Sequence, residues 1–238
     1  MRGRWRMALG ALAAWVGVNL GAPAAAAQGF DPAGDPVVEV ASWVMRTDDN
    51  HGLPFVIVDK VAAQVFVFGG HGRLRGVGAA LLGMTRGDDS VPGVGERPLS
   101  EIGPDDRTTP AGRFVAGYGV GLKGEPVLWV DYDTAISLHA VVTSNPEEHR
   151  LERLESPTAE DNRISYGCIN VSAAFYEDVV RKSFTGTTGV VYVLPEVRSL
   201  AEVFPTLVAD VDPGWRERPG VPEPDDVAAV RADAAWGR

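Results

Sequence analysis

Apolar positions along this chain come mostly in short bursts of four to six, bounded by glycine, proline and aspartate. Such bursts predict strands. Pro54-Phe55-Val56-Ile57-Val58 and Gln64-Val65-Phe66-Val67-Phe68 are two β-rich runs, parted by Asp59-Lys60 and small residues, and read as an opening hairpin. Leu74 to Leu82 is a third strand, carrying Gly76 and Gly78. A long Gly/Pro/Asp loop follows from Gly83 to Asp106, and loops of that length in a compact domain are usually functional or mobile. Thr109 to Tyr118, Val127 to Val130 and Ile136 to Val142 give three more strands. Thr143 to Arg163 is polar and charged, with Asn-Pro and Ser-Pro turns. Only Ser172 to Ser183 has a clear helical period: Phe175, Tyr176, Val179 and Val180 share a face, and Ser172 is placed to cap it. Val190 to Leu194 is a last buried strand, stopped by Pro195. The pattern predicts a mainly β fold of about six to eight strands with one helix packed on it.

The ends read differently. Arg2, Arg4 and Arg6 precede an apolar stretch from Met7 to Leu20 and the run Pro23-Ala24-Ala25-Ala26-Ala27. That is the layout of a signal peptide, residues 1–27, with cleavage after Ala27; an uncleaved anchor helix is the alternative. Residues 28–52 form a lead-in, with Val37 to Met45 a short helix or strand. The catalytic-size body runs over 53–196. Residues 197–238 are a C-terminal extension, with a peripheral helix over Leu200 to Val211 and a partly disordered, Pro- and Asp-rich remainder. Export to a periplasm or cell wall is expected, without stable membrane insertion after cleavage.

Charge narrows the partners. The chain carries a net charge of −10, and loss of residues 1–27 with their three arginines takes it to −13. So acidic a surface disfavours nucleic acid and anionic lipid. Cysteine usage narrows the chemistry. There is one cysteine, Cys168. An exported chain meets oxidising conditions, yet this one cannot form an internal disulfide. A lone exported thiol is an inert buried side chain, an intermolecular partner, or a reactive group. One cysteine also excludes multi-cysteine zinc motifs.

Cys168 follows Gly167, which permits a sharp turn and close approach of a substrate, and it stands shortly before the expected helix. A thiol near a helix N-terminus is biased toward thiolate. Backbone N–H groups at the turn are expected to hold a developing oxyanion. A free thiol is only about 3% ionised at pH 7, so a histidine partner is required. The four histidines are His51, His71, His139 and His149. His139 ends an apolar strand and is preferred on that ground; His149 lies in a charged loop and remains a competitor.

These residues resemble the L,D-transpeptidase catalytic domain. The resemblance rests on four stretches: the hairpin over Phe55 to Phe68, Thr109-Pro110-Ala111-Gly112-Arg113-Phe114, Ser137-Leu138-His139, and Ser165-Tyr166-Gly167-Cys168-Ile169-Asn170. It covers about Leu53 to Glu196 and implies a β-sandwich or barrel-like fold with a helix packed after the nucleophile turn. Two departures stand out. Tyr166 replaces the histidine the family places before Gly-Cys. Twenty-five residues separate His139 from Ser165, whereas His149 and Ser165 have the family-like 15 between them.

The resemblance implies Cys168 as nucleophile, His139 as base with Ala140 orienting it through its carbonyl, and Gly167 and Tyr166 beside them. Arg163, Ser165 and Asn170 are candidates for substrate contact. Ser165 and Asn170 are also read as braces of the turn, and Arg150 and Arg153 as further carboxylate partners or as surface ion pairs. Peptidoglycan tetrapeptide stems are the implied substrate, and no metal or organic cofactor is implied. The thiolate would displace D-Ala to give a thioester, which an amine resolves into a 3→3 cross-link or water hydrolyses. A papain-like protease is excluded by the order of His and Cys. A non-catalytic wall-binding protein on the same fold is the remaining alternative.

Overall fold

The computed structural model describes residues 34–122 and 124–209. The expected signal peptide and most of the C-terminal tail lie outside the described residues.

The first described element is a helix, α1 (Pro36–Thr47), which resolves the helix-or-strand choice left at Val37 to Met45. Its β-branched valines favour strand, but its start is strongly marked. Asp35 accepts hydrogen bonds from the N–H groups of Val37 and Val38, Pro36 occupies the first turn, and Asp48 ends the helix in the left-handed region. Val37, Val40, Ala41 and Val44 then fall on one buried face.

Nine strands follow: β1 (Phe55–Asp59), β2 (Gln64–Phe68), β3 (Leu74–Gly83), β4 (Gly112–Val120), β5 (Pro126–Asp131), β6 (Ile136–Ala140), β7 (Arg163–Ser165), β8 (Ile169–Val171) and β9 (Gly189–Val193). Between β6 and β7 lies a short helix, α2 (Arg150–Glu155). Between β8 and β9 the chain runs through α3 (Ala173–Phe175), a π-helical turn (Tyr176–Arg181) and α4 (Lys182–Phe184), with Ser172 accepting from the N–H of Phe175. Two short helices close the described part, α5 (Leu200–Val203) and α6 (Pro205–Ala209). The strand order is β2-β1-β9-β4-β5-β6-β8-β3, and β3 pairs back to β2. Eight strands therefore close into a ring, with β7 attached to the end of β3. The fold is mainly β, and it has one strand more than the pattern predicted. β7 and β8, of three residues each, flank Cys168 where no strand was expected.

Strand periodicity sorts the apolar residues into two clusters. Val56 and Val58, Val65 and Val67, Leu128 and Val130, Ile136 and Leu138, Ile169 and Val171, and Val191 and Val193 fill the inside of the ring, joined by Tyr176, Val180 and Phe184 of the helix after Cys168. The opposite parity on β1, β2 and β9, including Phe55, Ile57, Phe66, Phe68 and Tyr192, packs outward against α1 and against Phe204 and Leu207. Both faces of these strands are covered, which is why they read as continuous apolar runs rather than alternating ones. The outward positions of β5, β6 and β8 are left for another purpose.

A buried ionic cluster fastens the long loop between β3 and β4. Lys60, with no solvent exposure, reaches Asp88 Oδ1 at 2.8 Å, the carbonyl of Thr109 at 2.9 Å and the carbonyl of Gly87 at 2.5 Å. Arg163 grips both oxygens of Glu196, at 2.6 and 3.1 Å, and donates to the Lys60 carbonyl at 2.7 Å. Asp88 also accepts the N–H groups of Glu196, Val197 and Arg198. Burial pushes the Asp88 carboxyl up, yet these hydrogen bonds prevail and bring it from 3.8 down to about 2. Its contribution to stability is thus full above pH 3.8 and is lost as pH falls through about 2.

Removing one member of such a cluster leaves an uncompensated buried charge. Lys60→Met is expected to lower the unfolding free energy by about 3–5 kcal/mol, measured by urea denaturation followed through tryptophan fluorescence. A loss below 1 kcal/mol, the scale of an exposed pair, would contradict this account.

Candidate active site

Inside the ring, Ile136, Leu138, Ile169 and Val171 point to the core. By the same period of two, Ser137, His139 and Asn170 point outward. The strands β6 and β8 run parallel, with Leu138 opposite Ile169 and His139 opposite Asn170. Register alone therefore places Asn170 beside His139. Cys168 immediately precedes β8. These four side chains line one cleft of about 370 Å³, whose walls include Trp129, Leu122, Leu99, Ile102 and Tyr166. Its roof is the β3–β4 loop, which lies close on the β5–β6 turn: a Cβ on Gly95 would stand 2.3 Å from the Asp133 carbonyl oxygen.

The turn that carries Cys168 is built from polar contacts. Ser165 Oγ donates to the Cys168 carbonyl at 2.6 Å and accepts from the N–H of Gly167 at 3.1 Å. Thr109 Oγ1 donates to the Gly167 carbonyl at 2.7 Å and accepts from the N–H of Gly83 at 2.9 Å. Gly167 has φ +120°, and a Cβ there would lie 2.7 Å from the Thr108 carbonyl oxygen, so the position demands glycine. Cys168 is followed by β8 rather than by a helix. The helix begins only at Ala173, and a helix-terminal field falls off within a turn. The expected dipole activation of the thiol is therefore replaced by direct contacts. The Gly167 N–H, engaged by Ser165, is not the free oxyanion donor expected at the turn.

Those contacts come from β6. Cys168 Sγ lies 3.6 Å from Ser137 Oγ and 3.7 Å from the Ala135 carbonyl. His139 Nδ1 is 2.8 Å from the Ala140 carbonyl, and its Nε2 is 3.1 Å from Asn170 Nδ2. A carbonyl only accepts, so Nδ1 carries a proton and donates. Burial in the cleft wall favours the neutral forms of both Cys168 and His139. Their mutual attraction outweighs it, holding the thiol below and the imidazole above their ordinary values, with Ser137 adding to the effect on the thiol. The pair is biased toward thiolate and imidazolium.

The remaining candidates sort by position. His149 sits on an exposed turn ahead of α2, with its side chain 67% exposed and 3.8 Å from Glu152. It does not line the cleft with Cys168. His51 and His71 are exposed in turns. Arg163, expected to meet substrate, is 9% exposed and committed to Glu196 and the Lys60 carbonyl; its sequence proximity to Cys168 misled because β7 turns its side chain into the ionic cluster. Arg153 braces the loop after β6 through the Glu148 and Asp161 carbonyls. Ser165 and Asn170 are 2% and 1% exposed, Ser165 bonded within the turn and Asn170 to Arg150 and His139, so bracing accounts for them better than substrate contact. Tyr166 lies on the cleft wall with the Arg107 guanidinium 3.7 Å above its ring. A cation–π contact thus occupies the side chain where the resemblance led to a histidine.

Ser137 and Thr109 stand in stretches that carry the resemblance but were given no role, and Arg107 was not singled out. Ser137 could have been: it is two residues before His139 on one strand, and so on the same face. Thr109 and Arg107 lie far from Cys168 in sequence, and nothing in it showed their contacts with the Cys168 turn. Among the described residues, no group of three or more His, Cys, Asp or Glu could hold a metal ion, and no helix is long and apolar enough to cross a membrane.

Comparison with known proteins adds little. No family model matches the chain, and no curated protein matches it. It is similar to a solved structure described as "Structure of LD transpeptidase LdtMt1 in complex with imipenem", at 17% identity and a TM-score of 0.32, over 59% of this chain and 58% of that one. The chain thus matches under two thirds of that protein's length.

Because Cys168 is the only thiol, its ionisation is directly measurable by the pH dependence of iodoacetamide alkylation. In His139→Ala only Ser137 is left to oppose burial, so the midpoint is expected to move up, with the rate at pH 7 falling about tenfold or more. His149→Ala should leave the profile where it was. The reverse pattern would transfer the role to His149.

Proposed function

We propose that the protein is an exported cysteine acyltransferase of the L,D-transpeptidase kind, acting on peptidoglycan stem peptides. The observation that carries this reading is the thiol–imidazole pair of Cys168 and His139 at the wall of a cleft large enough for a peptide, with the ring anchored at Nδ1 by the Ala140 carbonyl. The motif stretches around Thr109, His139 and Cys168 agree with it. Export rests on the character of residues 1–27.

In the proposed reaction the Cys168 thiolate attacks the carbonyl of the diaminopimelate residue in a tetrapeptide stem. An S–C bond forms, the C–N bond to D-Ala breaks, and His139 gives its proton to the departing amine. An incoming amine then attacks the thioester, its proton passes to His139, and Cys168 leaves as thiolate. No cofactor enters. Water as acceptor would turn the same steps into L,D-carboxypeptidase hydrolysis.

Incubation with a carbapenem followed by intact-mass measurement tests the nucleophile. The mature protein is expected to gain one carbapenem mass, and Cys168→Ala none. With a tetrapeptide stem and a second stem as acceptor, release of D-Ala should depend on Cys168 and His139. A wild-type protein that alkylates normally but forms no adduct and releases no D-Ala would favour a wall-binding role instead.

A further inference from the structure

The cleft holds a chain of hydrogen bonds whose direction is fixed from one end. Arg150 Nη1 lies 2.6 Å from Asn170 Oδ1. Arginine only donates and does not deprotonate in this pH range, so the Asn170 oxygen must face it. The Asn170 amide nitrogen then faces His139 Nε2, at 3.1 Å. That nitrogen only donates, so Nε2 must present its lone pair. The imidazole proton is left on Nδ1, where the Ala140 carbonyl accepts it at 2.8 Å. Turning the Asn170 amide over would set its N–H2 against the guanidinium. Arg150 is itself held by Glu148, whose Oε2 lies 2.5 Å from Nε, and its side chain is 11% exposed.

We propose that Arg150 is a positioning residue: through Asn170 it locks the neutral His139 ring in the Nδ1-protonated tautomer, leaving Nε2, which accepts from Asn170, as the nitrogen that takes a proton in the cleft. The inference rests on the reading of Cys168 and His139 as the reacting pair. Its consequence is a bias on proton traffic. The neutral ring is the form that satisfies every hydrogen bond in the chain. Once Nε2 is protonated, its new N–H meets the N–H2 of Asn170. The Cys168 thiolate and Glu125 favour the charged ring, whereas Asn170, with Arg150 behind it and Glu148 partly offsetting that charge, opposes it. A proton taken from the cleft is therefore held for delivery rather than stored.

The test reads the histidine itself. Two-bond nitrogen–proton NMR of the full mature chain is expected to show neutral His139 protonated at Nδ1. In Arg150→Ala the Asn170 amide is released, so the Nε2-protonated tautomer should appear and the His139 midpoint should rise by about one pH unit. Arg150→Lys, which keeps a charged donor, should restore most of the wild-type pattern. A purely charge-based effect of Arg150 would persist without Asn170, so the Arg150→Ala shift should shrink by more than half in an Asn170→Ala background. An unchanged tautomer in Arg150→Ala, or an equal shift in both backgrounds, would overturn the proposal. None of these readouts needs a substrate. Failure of the acyl-transfer reading would show separately, as a wild type without a carbapenem adduct and with the tautomer pattern intact.

Discussion

A lysine ammonium with no access to water organises this molecule. Lys60 stands just past the end of β1, and its charge is costly to bury. Burial does lower its affinity for the proton, but Asp88 and Glu196 counter that pull. Satisfying it draws together residues from three distant parts of the chain: the loop after β3, Thr109 just before β4 and the segment after β9. Glu196 faces the ammonium at 3.6 Å and also balances the neighbouring cation Arg163. The cluster also governs the cleft. Lys60 bonds the Thr109 carbonyl, and the Thr109 hydroxyl bonds the Gly167 carbonyl. Two hydrogen bonds thus separate a buried charge from the backbone of the residue before Cys168.

This explains which parts of the structure were legible in the sequence. The ring strands were, because inside and outside faces are both apolar on β1, β2 and β9, and because turn residues punctuate them. The helix after Cys168 was, since Ser172 and a regular apolar face announced it. Strands β7 and β8 were not. Three residues offer no period, and their pairing is set by the ring rather than by local preference. The ionic cluster was equally invisible, since residues 60, 88, 163 and 196 carry no mark of mutual contact. Its invisibility is what made Arg163 look like a substrate ligand.

The cleft was legible in its chemistry and less so in its activation. A unique thiol on a glycine turn and a histidine on a strand could be named in advance. That the thiol depends on Ser137 and His139 of the neighbouring strand rather than on a helix terminus follows from β8 intervening between Cys168 and Ala173. Tyr166 shows the same limit. Its ring lies under Arg107, and only the folded loop brings position 107 to position 166.

The parallel pairing of β6 and β8 has a further consequence. Adjacent parallel strands cannot be joined by a tight turn, so a long crossover must run between them, and here it spans residues 141–168. The crossover does not set the register of His139 against Asn170, but it carries Arg150, Ser165 and Cys168 itself. Only its exposed stretch, residues 143–147, is free to vary while the reacting atoms stay in place. The extra residues between His139 and Ser165 need not be an obstacle to the site. They give the protein an arm, anchored at both ends on the ring, whose exposed turn can be rewritten without touching the barrel.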